Sequence, residues 1–500
     1  MTRPTKIFVR QWMHVAGTLA LSLIAGIAQA DGPTVVPVPG KPALLLSGFD
    51  LTPFGYAIEE FFISGTVTSY KLGEAATADG KWNAVPADNA PYKTRIVVVR
   101  PTDRRKFNGT VVVEWFNVTA GMDSSPDWNM THRELMRSGY AYVGVSAQKV
   151  GIDGASGSGG LGGLGTALKK QNPERYGSLN HPGDSFSFDI YSQVGRLVRD
   201  AATSKVLGTL VSKRVLAVGE SQSAAFLTTY INAVDPIAKV YGGFLVHSRF
   251  GGAASLQSAT MAGGQGQPSA IKFRPDLRVP VLAVETETDV IDGRMPGYRS
   301  ARQPDHDRLR VWELPGTAHA DNYSFVAGSI DSGTIPIEKL AAAWAPMSEI
   351  MGAKLAKPIN NAPQHHYVVQ NALVKLDRWV GTGKAPPQAE PMKMNENDTP
   401  ATFVLDANGL TEGGVRTPWV DAPISQLSGT GNSGSPLAFL VGSSEPFDTA
   451  TLERLYPGGK KEYLKKFTAS LDSAIKAGFI LKADRKEILE LAAVGYRGSH

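Results

Sequence analysis

The sequence predicts an α/β fold, a mostly parallel central sheet flanked by helices, and three observations predict it. Apolar runs rich in Val and Ile recur with Gly, Pro or polar breaks between them. Several are continuous rather than alternating, as expected of strands covered on both faces. Stretches with helical spacing lie between them, the order of elements that builds a parallel sheet.

The predicted strands are Arg95 to Arg100, Thr110 to Phe116, Ala141 to Ser146, Arg214 to Gly219, Tyr241 to His247, Val279 to Val284 and Leu309 to Leu314. A helix is expected over Asp189 to Thr203, where Val194, Leu197 and Val198 share a face, and another over Ser223 to Ala233. The Gly-rich stretch Gly151 to Gly165 reads as a loop with no core of its own. It lacks the G-x-x-x-x-G-K-[ST] pattern of a phosphate cradle. After His319 the chain reads as largely helical to about Trp379, then as a Pro-bearing link from Lys384 to Pro391 and a Gly-rich extended region to Ser444. A last helical segment runs from Thr449 to Val494. No linker demands an independent second domain. Residues 31–500 are therefore expected to form one domain, with a core at about 90–385 and an extension at about 386–500 packed on it.

Residues 1–30 have a basic stretch (Arg3, Lys6, Arg10), an apolar run from Val15 to Ala28 and then Ala28-Gln29-Ala30, the three-part layout of a secretory signal peptide. The run is shorter than the roughly 20 residues a spanning helix needs, so cleavage after Ala30 and a secreted or periplasmic product are expected. The 500-residue chain carries a formal charge of +5, of which three positive charges lie in this segment. The remainder gives no electrostatic motive for nucleic acid or an anionic membrane. The absence of Cys excludes a catalytic thiol, a disulfide scaffold and a thiolate metal site. Sequons begin at Asn108, Asn117, Asn129 and Asn322, and motifs so short arise by chance.

The pattern G-x-S-x-S occurs at Gly154, Gly183, Gly219 and Gly431. Only at Gly219-Glu220-Ser221-Gln222-Ser223 does an apolar strand lead in and a helix follow. The other three lie in Gly- or Pro-bearing loops, and an ordinary turn with a capping serine is the plain alternative at Ser221. The stretch resembles the nucleophile elbow of the α/β-hydrolase superfamily, G-x-S-x-G, with Ser223 departing from the usual second glycine. More narrowly the chain is similar to secreted bacterial α/β-hydrolase-domain proteins that share a G-x-S-Q-S-like elbow, the Thr286 to Val290 stretch (TETDV), Gly316 to Asp321 (GTAHAD) and a long C-terminal part.

The resemblance implies an order of serine, acid and histidine, each after a strand. A serine hydroxyl needs a base in reach and a group to orient that base. His319, in a small-residue turn past the last strand, is the expected base. The resemblance implies Asp289 as the preferred acid, since its distance past the strand matches where related hydrolases carry theirs; Glu287 is the alternative, and Glu285 a weaker one. His247 precedes the acid, the wrong order, and reads as a satisfied histidine near the pocket. His365 and His366 have no carboxylate spaced as a metal partner and read as structural. The resemblance also implies two backbone N–H groups that hold an oxyanion, one from Gln222 and one from the loop after Thr110 to Phe116, where Asn117 or Val118 is the choice. Asp123, Asp127 and Trp128 either line the entrance or only fold that loop, and Trp115 is expected in the core.

The expected function is therefore secreted carboxylic ester hydrolysis through a Ser-His-Asp triad, with no cofactor or metal and a small-molecule ester as partner. A lactone or amide fits the same residues, and a non-catalytic binding protein on the same fold is the reading that a missing triad member would favour. A metal-dependent hydrolase lacks an H-E-x-x-H motif. The segment Ser248 to Phe273 is small and polar, the natural place for a modest cap.

Overall fold

In the computed structural model, the described residues are 1–2, 32–44, 46–154, 165–200, 205–257 and 267–498. The chain divides into two units, Met1–Gly32 and Pro33–His500, and only the second is described below. The expected signal segment and its cleavage point lie outside the described residues, apart from Met1 and Thr2.

The core is a nine-stranded sheet in the order β1-β2-β3-β5-β4-β6-β7-β8-β9. These strands are β1 (Thr34–Val38), β2 (Tyr56–Leu72), β3 (Ala84–Pro101), β4 (Thr110–Trp115), β5 (Ala141–Val145), β6 (Arg214–Glu220), β7 (Gly243–His247), β8 (Val281–Thr286) and β9 (Leu309–Leu314). From β5 to β9 every neighbouring pair is parallel, whereas β1, β2 and β3 join antiparallel at one edge. The register places Val113 beside Val143 and Ala217. Successive residues of the parallel strands then face opposite sides, and both sides are covered.

On one face Val113, Trp115, Val143 and Ala217 pack with α2 (Ser187–Arg199) and α3 (Gln222–Thr229). On the other, Val112, Leu216, Val218 and Leu282 pack with α1 (Pro126–Arg137) and α4 (Gln364–Thr382). The C-terminal helices α5 (Gly459–Ala477) and α6 (Arg485–Gly495) add Phe467, Leu471, Ile488 and Leu491 to that same second layer. At about 25 cal/mol per Å² of buried apolar surface, such a continuous double layer is the main stabilising contribution. Among the described residues no helix is long and apolar enough to cross a membrane.

Two sequence expectations differ from the structure. Strands β1 and β2 were not anticipated: β2 runs through Glu59, Glu60, Ser64, Thr66 and Ser69, too mixed for a Val/Ile run. The stretch after His319 is only partly helical, because a small hairpin, Glu349–Ile350 with Ala353–Lys354, interrupts it before α4. In the Ser248 to Phe273 segment residues 258–266 lie outside the described set. In the described part Ala253 and Ala254 are buried, and the Ala254 N–H donates to the Ala225 carbonyl at 3.1 Å.

Candidate active site

Strand β6 ends in a turn at which Ser221 has φ 57° and ψ −115°. A non-glycine residue at positive φ is strained by about 1–3 kcal/mol and persists only where its surroundings hold it. Here the Ser221 N–H donates to the carbonyl of His247 at the end of β7 (2.9 Å), and the Ser221 carbonyl accepts the Ala225 N–H in the first turn of α3 (3.1 Å). The hydroxyl is thereby lifted off the end of the sheet.

His319 follows β9. Its Nε2 lies 2.7 Å from Ser221 Oγ, and its Nδ1 lies 2.5 Å from Asp289 Oδ1. The other carboxylate oxygen, Oδ2, accepts the Thr286 N–H at 2.8 Å and the Thr286 hydroxyl at 2.6 Å, a capping box on the short helix Glu287–Val290. Asp289 is thus fixed with one oxygen free to orient the imidazole. Burial pushes the Asp289 carboxyl up, but the His319 charge and the hydrogen bonds from His319 and Thr286 outweigh it and hold it below its ordinary value. Burial likewise pushes the His319 imidazole down, and the Asp289 charge and hydrogen bond, with the Glu220 charge, reverse this to a net rise. The Phe250 ring stacks on the imidazole at 5.2 Å and 27°.

The alternative acids go elsewhere. Glu287 Oε1 accepts the Gly316 N–H (2.6 Å) and its Oε2 the Gly429 N–H (2.7 Å). It ties the turn before His319 to the C-terminal extension and makes no bond to the imidazole. Glu285 is fully buried with neither carboxylate oxygen partnered among the described residues, and burial raises it well above the carboxylate range.

Gln222 opens α3, a position whose N–H has no helical carbonyl a turn before it. The loop after β4 corrects one expectation. The Asn117 N–H is not free for an oxyanion, because it donates to the Ser124 carbonyl (3.0 Å) in a bridge returned by Ser124 N–H (2.9 Å). The Asn117 side-chain amide instead donates to the Glu220 carbonyl and carboxylate, each at 3.2 Å. The Val118 N–H reaches the right neighbourhood but donates to Gln222 Oε1 at 3.1 Å. Nor do Asp123, Asp127 and Trp128 line an entrance. Asp123 pairs with the buried Arg95 guanidinium at 3.0 Å, and Trp128 donates its indole N–H to the Leu46 carbonyl at 2.7 Å. Trp115 is core, fully buried with its indole N–H on Gln148 Oε1 at 3.0 Å.

Two features escaped the sequence reading. Glu220 Oε1 lies 3.4 Å from His319 Nε2, and burial, opposed by the His319 charge, pushes that carboxyl up to about 8. Its place inside the elbow motif was the available signal. The second is a buried chain in which Asp127 Oδ1 meets His247 Nδ1 (2.9 Å), His247 Nε2 meets His365 Nε2 (2.9 Å) and His365 Nδ1 meets Asp321 Oδ2 (3.3 Å). Among the described residues no group of three or more His, Cys, Asp or Glu is arranged to hold a metal ion.

Residues 28–490 match the sequence profile described as "Alpha/beta hydrolase domain", and the chain belongs to that family. Among curated proteins none matches it in sequence. Among solved structures the chain is similar to a lidless α/β serine hydrolase from Xanthomonas campestris, at 12% identity over 51% of this chain and 85% of that one, TM-score 0.27. A thermostable esterase from Pseudomonas putida matches at 12% identity over 48% and 66%, TM-score 0.25. A fungal esterase from Rhizomucor miehei matches at 11% over 69% and 94%, TM-score 0.28.

Proposed function

We propose that this α/β-hydrolase-family protein is a serine hydrolase that cleaves a carboxylic ester through an acyl-enzyme, with Ser221 as nucleophile, His319 as base and Asp289 as the orienting acid. The observation that carries the reading is the unbroken contact from Ser221 Oγ through His319 to Asp289, at 2.7 and 2.5 Å, on a serine held at positive φ. Ser221 Oγ attacks the acyl carbon as its proton passes to His319 Nε2. The carbonyl oxygen takes the negative charge, which the Gln222 N–H stabilises; the Val118 N–H joins once the Gln222 amide oxygen moves off it. One such donor lowers the barrier by roughly 3 kcal/mol. The intermediate collapses, the alkoxide leaves with the proton from His319, and water deprotonated by His319 then attacks the acyl carbon and releases the acid. No step calls on a cofactor or metal.

The N-terminal layout at 1–30 supports export, and we place the working protein outside the cytoplasm. The test is labelling of the protein with a fluorophosphonate followed by peptide mapping, alongside hydrolysis of a panel of short acyl esters, lactones and anilides. Adduct on Ser221 that disappears in Ser221→Ala and falls steeply in His319→Ala, with esters turned over fastest, is the expected result. Adduct on another serine, or none, would remove the nucleophile and favour a binding role.

A further inference from the structure

The buried chain Asp127–His247–His365–Asp321 joins four elements that surround the proposed site. Asp127 stands in the first turn of α1, directly after the 117–125 loop. His247 ends β7, and its carbonyl is the group that holds the Ser221 N–H. His365 is in the first turn of α4, and Asp321 lies two residues past His319. All four side chains are at most 2% exposed.

Proton counting limits what this chain can be. Two imidazole nitrogens 2.9 Å apart require one proton between them, since two donors or two lone pairs would repel. The outer nitrogens each face a carboxyl oxygen. If both carboxylates were ionised, the rings would share a positive charge; if one is protonated, every link has one donor and one acceptor and all protons point the same way.

The surroundings choose the end that carries the proton. Asp321 Oδ1 accepts both the N–H (3.0 Å) and the hydroxyl (3.1 Å) of Ser324, the setting of an ionised carboxylate. Asp127 Oδ2 has no partner among the described residues, and its backbone N–H is already given to the buried Glu114 carboxyl at 3.0 Å. An ionised carboxylate there would be desolvated, half unpaired and beside a second acid.

We propose that Asp127–OH donates to His247 Nδ1, His247 Nε2–H to His365 Nε2, and His365 Nδ1–H to the Asp321 carboxylate, making a one-directional brace that positions the His319 loop against the elbow. The loop's role in catalysis rests on the hydrolase reading above; the brace itself does not. Burial pushes Asp127 up to about 8 and His247 well below its ordinary value, in keeping with a protonated acid and a neutral ring.

Loss of the Asp127 proton would force a donor onto His247 Nδ1. The chain would then have to reverse, leaving a bare His365 Nδ1 facing the Asp321 carboxylate and parting the link nearest His319. The charged and titratable neighbours leave Asp127 as the group that yields. Burial opposes its ionisation and the charge of His365 on α4 favours it, while a charge on Asp127 would in turn push up Glu114 on β4, Glu220 on β6 and the Tyr142 and Tyr191 hydroxyls. His247 is additionally within the field of His319 and Asp289, and His366 beside His365 is held neutral by burial.

The direct test is ¹⁵N NMR of the full chain with labelled histidine at pH 7. His247 should appear as the Nε2–H tautomer and His365 as the Nδ1–H tautomer; matching tautomers, or a doubly protonated ring, would overturn the brace. The second test is Asp127→Asn, whose amide donates to His247 Nδ1 as the acid does but cannot ionise. Fluorophosphonate labelling of Ser221 should fall about tenfold per pH unit above about 8 in the wild type and stay level in Asp127→Asn; parallel falls would overturn the proposal. If Ser221 is labelled in neither protein, the hydrolase reading fails and thermal melting still decides the brace. A carboxyl raised on folding contributes stability that is full below about 4 and lost as pH rises to its folded value. The melting temperature of Asp127→Asn relative to wild type should therefore climb between about pH 4 and 8 and level off above. A gap that does not change with pH would count against the brace.

Discussion

Gly219 and Ser223 lie back to back across the elbow: a Cβ on Gly219 would stand 3.1 Å from the Ser223 carbonyl oxygen, 3.2 Å from its carbonyl carbon and 3.3 Å from its Cβ. The closeness required of this turn therefore falls on Gly219. Ser223 sits where a second glycine is usual, yet it is a buried helical residue whose hydroxyl has no partner among the described residues.

Gly219→Ala pushes a methyl against backbone that is itself pinned in α3, so the turn must open. We expect a stability loss of about 1–2 kcal/mol in urea melts and about tenfold slower fluorophosphonate labelling as Ser221 moves off His319. Ser223→Ala removes only an unsatisfied hydroxyl and should be neutral or stabilising by up to about 1 kcal/mol, with labelling unchanged. A large activity loss in Ser223→Ala would assign the hydroxyl a role that its surroundings do not show.

Asp289 and Glu287, two residues apart, separate chemistry from architecture. Asp289→Asn keeps an acceptor for Thr286 but can present its amide nitrogen to His319 Nδ1, favouring the wrong tautomer. Labelling of Ser221 should drop by about 10³–10⁴-fold with little change in melting temperature. Glu287→Gln points an N–H at the Gly316 or Gly429 N–H, and the expected effect is a loss of about 1–3 kcal/mol in stability with labelling reduced much less. The reverse pattern would make Glu287 the acid.

The strands that carry the site were legible because parallel central strands are continuous apolar runs: β4, β6, β8 and β9 begin or end within two residues of where the runs do. The expected acid and histidine were placed at those ends by the resemblance, and the structure brings Asp289, His319 and Ser221 into contact. What could not be read is whatever depends on side chains meeting across long stretches of chain. His247 and His365 are separated by 118 residues, and nothing in either local sequence says that their Nε2 atoms touch. The fate of the Asn117 N–H was hidden for a different reason: it is decided by a two-residue bridge to Ser124 inside a loop with no periodicity to follow. Likewise the extension's part in the site rests on single contacts, such as the Thr288 hydroxyl on the Gly429 carbonyl (2.5 Å) while the His319 N–H donates to that same hydroxyl (3.1 Å).

Glu220 adds a titrating group 3.4 Å from His319 Nε2, the nitrogen proposed to accept the Ser221 proton. Burial raises Glu220 to about 8, and the His319 imidazole is raised in part by the Glu220 charge, so the proton near them belongs to the pair. Glu220→Gln keeps the shape and the oxygen that accepts from Asn117 but removes one influence that favours the imidazolium. The acid limb of the labelling rate, which follows loss of the His319 proton, should then move to lower pH. A limb that stays in place would mean that Asp289 alone sets the imidazole.

The Gln222 side chain occupies a position with two readings of opposite sign. Its Oε1 accepts the Val118 N–H at 3.1 Å, so in the resting protein an amide oxygen already sits on one of the donors proposed for the substrate oxyanion. A substrate must displace it, and the amide then needs another partner. Gln222→Met keeps the volume and the backbone N–H and removes the acceptor. The Val118 N–H, in a residue only 3% exposed, is left unpaired in the resting state at a cost of about 1–3 kcal/mol. That penalty is relieved only when a substrate or transition-state oxygen arrives. The expected outcome is a lower melting temperature together with a lower KM for a small ester and faster labelling of Ser221, because the internal competitor is gone. Slower labelling with an unchanged KM would instead show that the amide shapes the 117–125 loop, since the oxyanion donors would then be mispositioned when it is lost.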